Sequence, residues 1–250
     1  MRRCCAAMAL PGVLVVTLCA CAERFVPPPE DAPTGITSVD GLPGAPCDGG
    51  TMVVVTHSVG GQFCIDRFEA SLDGGALGNA MQGTDDTDDS LDGSTQAEAR
   101  MHLGVVPRAR VSWYQAKAAC ENAGKRLCTL TEWQSACRGP ETWLYPYGDD
   151  VQDGRCNGFF NYDADKPAVT GAMRECGSAV GVYDMSGNVE EWTATAVARV
   201  PGAATLNDRA IRGGGFRANA RSLSCVGEEF HASPSTSSDD RGFRCCAAAP

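Results

Sequence analysis

The chain has 250 residues, with 31 acidic against 21 basic side chains and a formal charge of −10. That length supports one large domain or two small ones with a substantial core. The acidic balance excludes a nucleic-acid binder, which needs a clustered basic surface, and it disfavours adhesion to an anionic membrane surface. Of the 14 cysteines, those beyond Cys21 are scattered and include no C-x-x-C pair. This favours disulfides in an oxidising compartment over a zinc site and argues against a reduced cytosolic enzyme.

At the N-terminus Arg2 and Arg3 precede an apolar stretch, Cys4 to Leu18, that is too short to span a bilayer. It ends in Leu18-Cys19-Ala20-Cys21, which resembles a bacterial lipobox, with small Ala20 before Cys21. The resemblance implies that residues 1–20 are a lipoprotein signal peptide and that Cys21 is acylated; a cleaved signal peptide with an incidental cysteine is the simpler alternative. Residues 22–46 hold Pro27, Pro28, Pro29, Pro33, Pro43 and Pro46 and read as an extended spacer. The expected organisation is therefore signal 1–20, lipidated cysteine and linker 21–46, and a folded domain 47–250. The protein would be exported and lipid-anchored in the cell envelope, periplasmic or surface-facing, meeting the membrane through the lipid only.

Met52-Val53-Val54-Val55 and Gln62-Phe63-Cys64-Ile65-Asp66 predict two strands around a Gly60-Gly61 turn. Residues 73–99 are rich in Gly and Asp and predict a loop. Within it Asp88, Ser90, Asp92 and Gly93 fit the start of a calcium loop, but the twelfth position is Ala99 and Glu98 comes one place early, so a solvated acidic loop is the better reading. Ser112 predicts the cap of a helix from Trp113 to Ala123 with Gly124 as its stop. Thr129 with Glu132 forms a capping-box pattern for a second helix ending at Arg138, with Trp133, Ala136 and Cys137 on its buried face. Beyond residue 140 there are Gly-rich turns and short strand candidates, Gly181–Met185 and Ala210–Arg212. No internal repeat is visible.

Four segments in order carry a family resemblance. They are Phe63 to Ser71 (FCIDRFEAS); Val111-Ser112-Trp113-Tyr114-Gln115-Ala116 continuing through Lys125 to Trp133 (KRLCTLTEW); Gly181 to Thr193 (GVYDMSGNVEEWT); and Arg212 to Phe216 (RGGGF) with Arg241 to Cys245 (RGFRC). Together they look like the formylglycine-generating-enzyme, or sulfatase-modifying-factor, family. The resemblance implies an irregular α+β fold related to C-type lectins, low in regular secondary structure and stabilised by disulfides. It implies the pairs Cys120–Cys245 and Cys137–Cys225. Cys156 with Cys176 is a candidate local third bridge, and Cys47, Cys64, Cys128 and Cys246 remain unassigned.

The enzymes of that family oxidise a substrate cysteine with oxygen and copper held by two thiolates, soft ligands suited to Cu(I). The corresponding positions here are Ala218 and Leu223, and the family's serine after the RGG motif is Gly215. Cys225 could replace a ligand only by leaving its bridge. Copper is therefore not expected. His57, His102 and His231 are widely separated and show no ligand spacing. Asn188 and Glu191, with a backbone carbonyl near Val189, match the family's calcium ligands, so Ca²⁺ is the expected ion; the alternative is that Asn188 caps a turn and Glu191 pairs with an arginine. A second family site would use Asn157 with Asp163 or Asp165. Whether the chain is an enzyme stays open. The reading reached is a non-catalytic domain, structural or binding an envelope ligand (glycan or protein), against an oxidoreductase of the formylglycine-generating or nonheme metal type with relocated ligands.

Overall fold

The computed structural model describes Ile36 and residues 38–72, 97–158, 165–198, 208–227 and 230–250. The expected signal peptide, Cys21, Asp163 and the Asp88–Gly93 segment lie outside these residues. Two strands form where valines meet a glycine turn: β1 (Met52–Thr56) pairs antiparallel with β2 (Gln62–Asp66). Gly60 and Gly61 both take positive φ, +96° and +84°, to close that turn. Next come β3 (Ala70–Leu72) and β4 (Ala99–Met101), which pair with each other.

Helix α1 (Trp113–Asn122) starts on a full capping box in which Ser112 and Gln115 bond each other's backbone N–H. Strand β5 (Arg126–Leu127) leads into α2 (Leu130–Arg138), capped the same way by Thr129 and Glu132. The remaining strands are β6 (Glu190–Val197), β7 (Asp208–Arg212), β8 (Phe230–Ala232), β9 (Arg241–Phe243) and β10 (Cys245–Ala248). They complete two four-stranded sheets, β1-β2-β10-β5 and β8-β7-β6-β9, the β6–β9 pair being parallel.

β10 is placed by its neighbouring cysteines. Adjacent residues on a strand point to opposite faces, so Cys245 enters the cluster of Trp113, Ala116, Trp192 and Phe243. Cys246 enters the cluster of Val53, Ile65, Trp133 and Met185. Cys245 bonds Cys120 of α1, and Cys246 bonds Cys128 just before α2. Cys137–Cys225, Cys156–Cys176 and Cys47–Cys64 complete five bridges. Three of these pairs are those drawn from the sequence; Cys47–Cys64 and Cys128–Cys246 resolve the unassigned four.

Two expectations change. Gly181–Met185 is not a strand: Tyr183 makes an isolated bridge to Gly177, and Asp184 sits at φ +58°, which breaks an extended run. Residues 38–46, assigned to the spacer, pack on the domain, as does Ile36, and the compact unit spans Pro33–Pro250. Prolines favour an extended path, but here Arg67 donates to the carbonyls of Pro43, Gly44 and Gly50, and that path is laid against the sheet.

Candidate functional site

The turn before β6 concentrates polar side chains in the interior. Gly187 turns the chain at φ +81°, and a Cβ there would lie 2.1 Å from the Asn157 carbonyl. This brings Asn188, also at positive φ (+60°), inward. Asn188 Oδ1 accepts from the Ala168 N–H (2.7 Å) and from Asn157 Nδ2 (3.0 Å), while its Nδ2 donates to Glu69 Oε2 (2.5 Å). Glu69 Oε1 accepts the Val189 N–H at 2.9 Å.

Three residues on, Glu191 is fully buried. Arg244 Nε donates to both its oxygens (2.9 and 2.7 Å), and Arg244 Nη2 donates to Oε1 (2.7 Å). Trp133 Nε1 donates to Oε2 at 2.8 Å. The rest of the guanidinium donates to the carbonyls of Asp66, Arg67 and Tyr183.

One guanidinium thus serves three buried carboxylates, Glu69, Asp184 and Glu191. Burial, with Asp184 and Glu191 nearby, pushes Glu69 well above the usual carboxylate range. Burial pushes Asp184 up to about 6. Glu191 keeps the guanidinium charged although burial opposes that charge. The cluster ties the segment after β2, the turn before β6 and the turn before β10 into one unit. Glu69, Asp184 and Arg244 were not singled out from sequence, although each stands inside one of the family motifs; an ionisable residue directly after an aromatic (Phe68, Tyr183, Phe243) in such a block was the available signal.

Asn188 and Glu191 do not fit a calcium ion. The Asn188 amide oxygen already faces two N–H donors, and both Glu191 oxygens face Arg244 or Trp133. A cation needs oxygens free of such donors. Both halves of the sequence alternative, a turn at Asn188 and an arginine partner for Glu191, are what the contacts show. Asn157 gives its amide N–H to Asn188 and to the Lys166 carbonyl, while Asp165 is 99% exposed and faces Arg217 at 3.6 Å.

Around the two positions that resemblance assigns to copper, the space is filled. Leu223 is 4% exposed. A Cβ on Gly158 would meet Leu223 Cδ1 at 2.7 Å, and a Cβ on Gly214 would meet that of Ala218 at 2.6 Å. A Cβ on Gly215 would meet the Asp240 side chain at 2.7 Å. Cys225 is bonded to Cys137, and every described cysteine is in a disulfide. The histidines stand apart: His57 packs edge-on to Phe63, His102 meets Ser71, and His231 meets Asp208. Among the described residues no group of three His, Cys, Asp or Glu is placed to hold a metal.

Comparison with known proteins follows the same motifs. Residues 61–249 match the family model of the sulfatase-modifying factor enzyme 1-like domain. The inactive C-alpha-formylglycine-generating enzyme 2 of Bos taurus is 33% identical over 156 residues, 57% of this chain and 50% of that protein. The formylglycine-generating enzyme of Mus musculus is 30% identical over 171 residues, 59% of this chain and 45% of that protein. The chain therefore spans about half the length of these relatives. The structure of PvdO from Pseudomonas aeruginosa superposes with TM-score 0.52 at 18% identity, covering 75% of this chain and 80% of that one. Among the described residues, short strands, two helices and five bridges make up an irregular α+β fold. Its likeness to solved structures such as that of PvdO makes that fold formylglycine-generating-enzyme and C-type-lectin-like. With the match running through both helices, the buried carboxylate cluster and the final strand, the chain belongs to the sulfatase-modifying-factor family.

Proposed function

We propose that this protein is an exported lipoprotein whose sulfatase-modifying-factor domain is non-catalytic and serves a structural or ligand-binding role at the cell envelope. The observation that carries the reading is the occupation of the copper positions by Ala218 and buried Leu223, beside glycines with no room for a larger side chain. An alanine methyl and a leucine side chain have no donor atom for Cu(I), which is held by soft thiolates. The described cysteines are already bonded in pairs, so a relocated thiolate ligand would require one bridge to open. Relatives in the family include one whose name calls it inactive, which supports the reading without carrying it. The polar cluster built on Glu191 and Arg244 works as an internal brace in this proposal. Attachment rests on the Leu18-Cys19-Ala20-Cys21 segment, with Cys21 as the acylated residue.

Oxygen uptake by the purified, copper-supplemented protein with a cysteine-containing peptide tests the first half. The expected result is no uptake above the protein-free control and no aldehyde product by mass spectrometry; catalytic conversion of the peptide would overturn it. Metabolic labelling with an alkyne fatty acid tests the second half. Label is expected on the full chain and absent from Cys21→Ala, and an unlabelled full chain would remove the lipid anchor from the proposal.

A further inference from the structure

Residues 38–50 run as a strap across the open side of β1. Val39 and Leu42 pack on Phe68, Met101 and Tyr183. Farther on, Ala45 and Cys47 pair with the outer edge of β1: the Val54 N–H donates to the Ala45 carbonyl (2.8 Å), and the Cys47 N–H donates to the Met52 carbonyl (3.0 Å). Arg67 holds the strap from beneath through the carbonyls of Pro43, Gly44 and Gly50. The Cys47–Cys64 bond rivets it to β2.

This bond differs from the other four. Cys47 is partly exposed, whereas the remaining nine described cysteines are all buried. Thiol–disulfide exchange needs access of a thiolate to one sulfur, and buried bonds become accessible only through local or global opening. Cys120–Cys245, Cys128–Cys246 and Cys137–Cys225 also lie within the two core clusters, so reaching them means opening a core. Cys156–Cys176 lies outside those clusters, but both of its cysteines are buried.

We propose that Cys47–Cys64 is a redox-sensitive clasp, open to a dithiol reductant in the folded protein, whose reduction frees residues 38–50 from the sheet. A thiolate of the dithiol attacks Cys47 Sγ, forming a mixed disulfide and expelling Cys64 as thiolate. The reductant's second thiol then closes its own disulfide and releases Cys47. Two electrons pass from the dithiol to the protein pair, which ends as two thiols. Without the bond the strap keeps its hydrogen bonds, each of small net value, and the contacts of half-buried Val39 and Leu42 with Phe68, Met101 and Tyr183. Against these stands the conformational entropy of an ordered extended segment, lost at every residue held in place, which in this proposal outweighs them. If the chain is tethered through Cys21, release lengthens the tether by the strap's contour, about 45 Å at ~3.4 Å per residue. That consequence rests on the lipoprotein reading above; the clasp itself does not.

The test is limited reduction of the folded, fully oxidised protein with dithiothreitol, followed by iodoacetamide and peptide mapping. Cys47 and Cys64 are expected to be alkylated about tenfold or more faster than any other pair. Labelling of another pair first, or of all five together, would overturn the proposal. Hydrogen exchange on the selectively reduced protein reads the second step, with faster exchange expected at residues 38–50 and unchanged protection at β6 and β10. Unchanged exchange in the strap, in the reduced protein or in the Cys47→Ser/Cys64→Ser variant, would overturn the release. Both readouts work on unlipidated protein, so a failed lipid label and a failed clasp are separate results.

Discussion

Replacing Arg244 with methionine removes the guanidinium that, among the described residues, lies against Glu69, Asp184 and Glu191. Both Arg244 and Glu191 are 1% exposed at the side chain. Deleting one partner of such a pair costs about 3–5 kcal/mol, because the other is left buried and charged. The carbonyls of Asp66, Arg67 and Tyr183 also lose their donor, adding roughly 1 kcal/mol or more in all. We therefore expect Arg244→Met to lose about 4–6 kcal/mol near neutral pH, or roughly 8–24 °C in melting temperature for a domain of this size.

The loss depends on pH in a defined direction. Arg244 lowers the carboxyls of Glu69 and Asp184, so its removal raises them further. A carboxyl raised above its unfolded value stabilises fully below that value and loses the contribution as pH rises through the folded one. The deficit of the variant should therefore be small near pH 4.5 and grow toward pH 8. Urea unfolding with disulfides intact, followed by fluorescence of Trp133 beside Glu191, measures it. A deficit below about 1 kcal/mol at pH 7–8, or one equal at both pH values, would refute the bracing role.

Further outcomes follow from the same geometry. With Asp184 at about 6 and Glu69 raised by burial, the native protein should lose stability from these groups as pH rises from about 4 through 6. Asp184→Asn should flatten that slope, and an unchanged slope would be contrary to it. Gly187→Ala puts a methyl 2.1 Å from the Asn157 carbonyl at a φ of +81°; a loss of about 3 kcal/mol or more in denaturant melts is expected, and a near-neutral effect would contradict the tight turn. Because Asn188 and Glu191 face N–H donors, millimolar calcium and EDTA should leave the melting temperature within error of each other. A calcium-dependent rise would show a cation bound to the folded form.

Much of the frame was readable in the residues because local chemistry set it. The Ser112 and Thr129 caps mark both helices, alternation and Gly60-Gly61 mark the first hairpin, and motif order marks the family. What escaped is what distant contacts decide. β6 does alternate from Trp192 to Ala196, but it opens on Glu190-Glu191, and the burial of Glu191 against Trp133 is decided by contacts that no local pattern shows. Cys128–Cys246 and Cys47–Cys64 could not be chosen because pairing depends on β10 lying between β2 and β5. The motif glutamate suggested a cation site until Arg244, 53 residues away, was seen to occupy that role. The strap hid in proline-rich composition, since its order comes from Arg67 and β1.

Copper affinity tests the central claim most directly. Titration of Cu(I) against a competing chromophoric chelator, without reductant, on oxidised protein in which Cys4, Cys5, Cys19 and Cys21 are replaced by serine, should show no copper transferred to the protein. Ala218 and Leu223 offer no donor atoms, and the described thiols are bonded in pairs. Stoichiometric, tight Cu(I) uptake that survives with all five bridges intact would contradict the account and restore a metal-dependent oxidase.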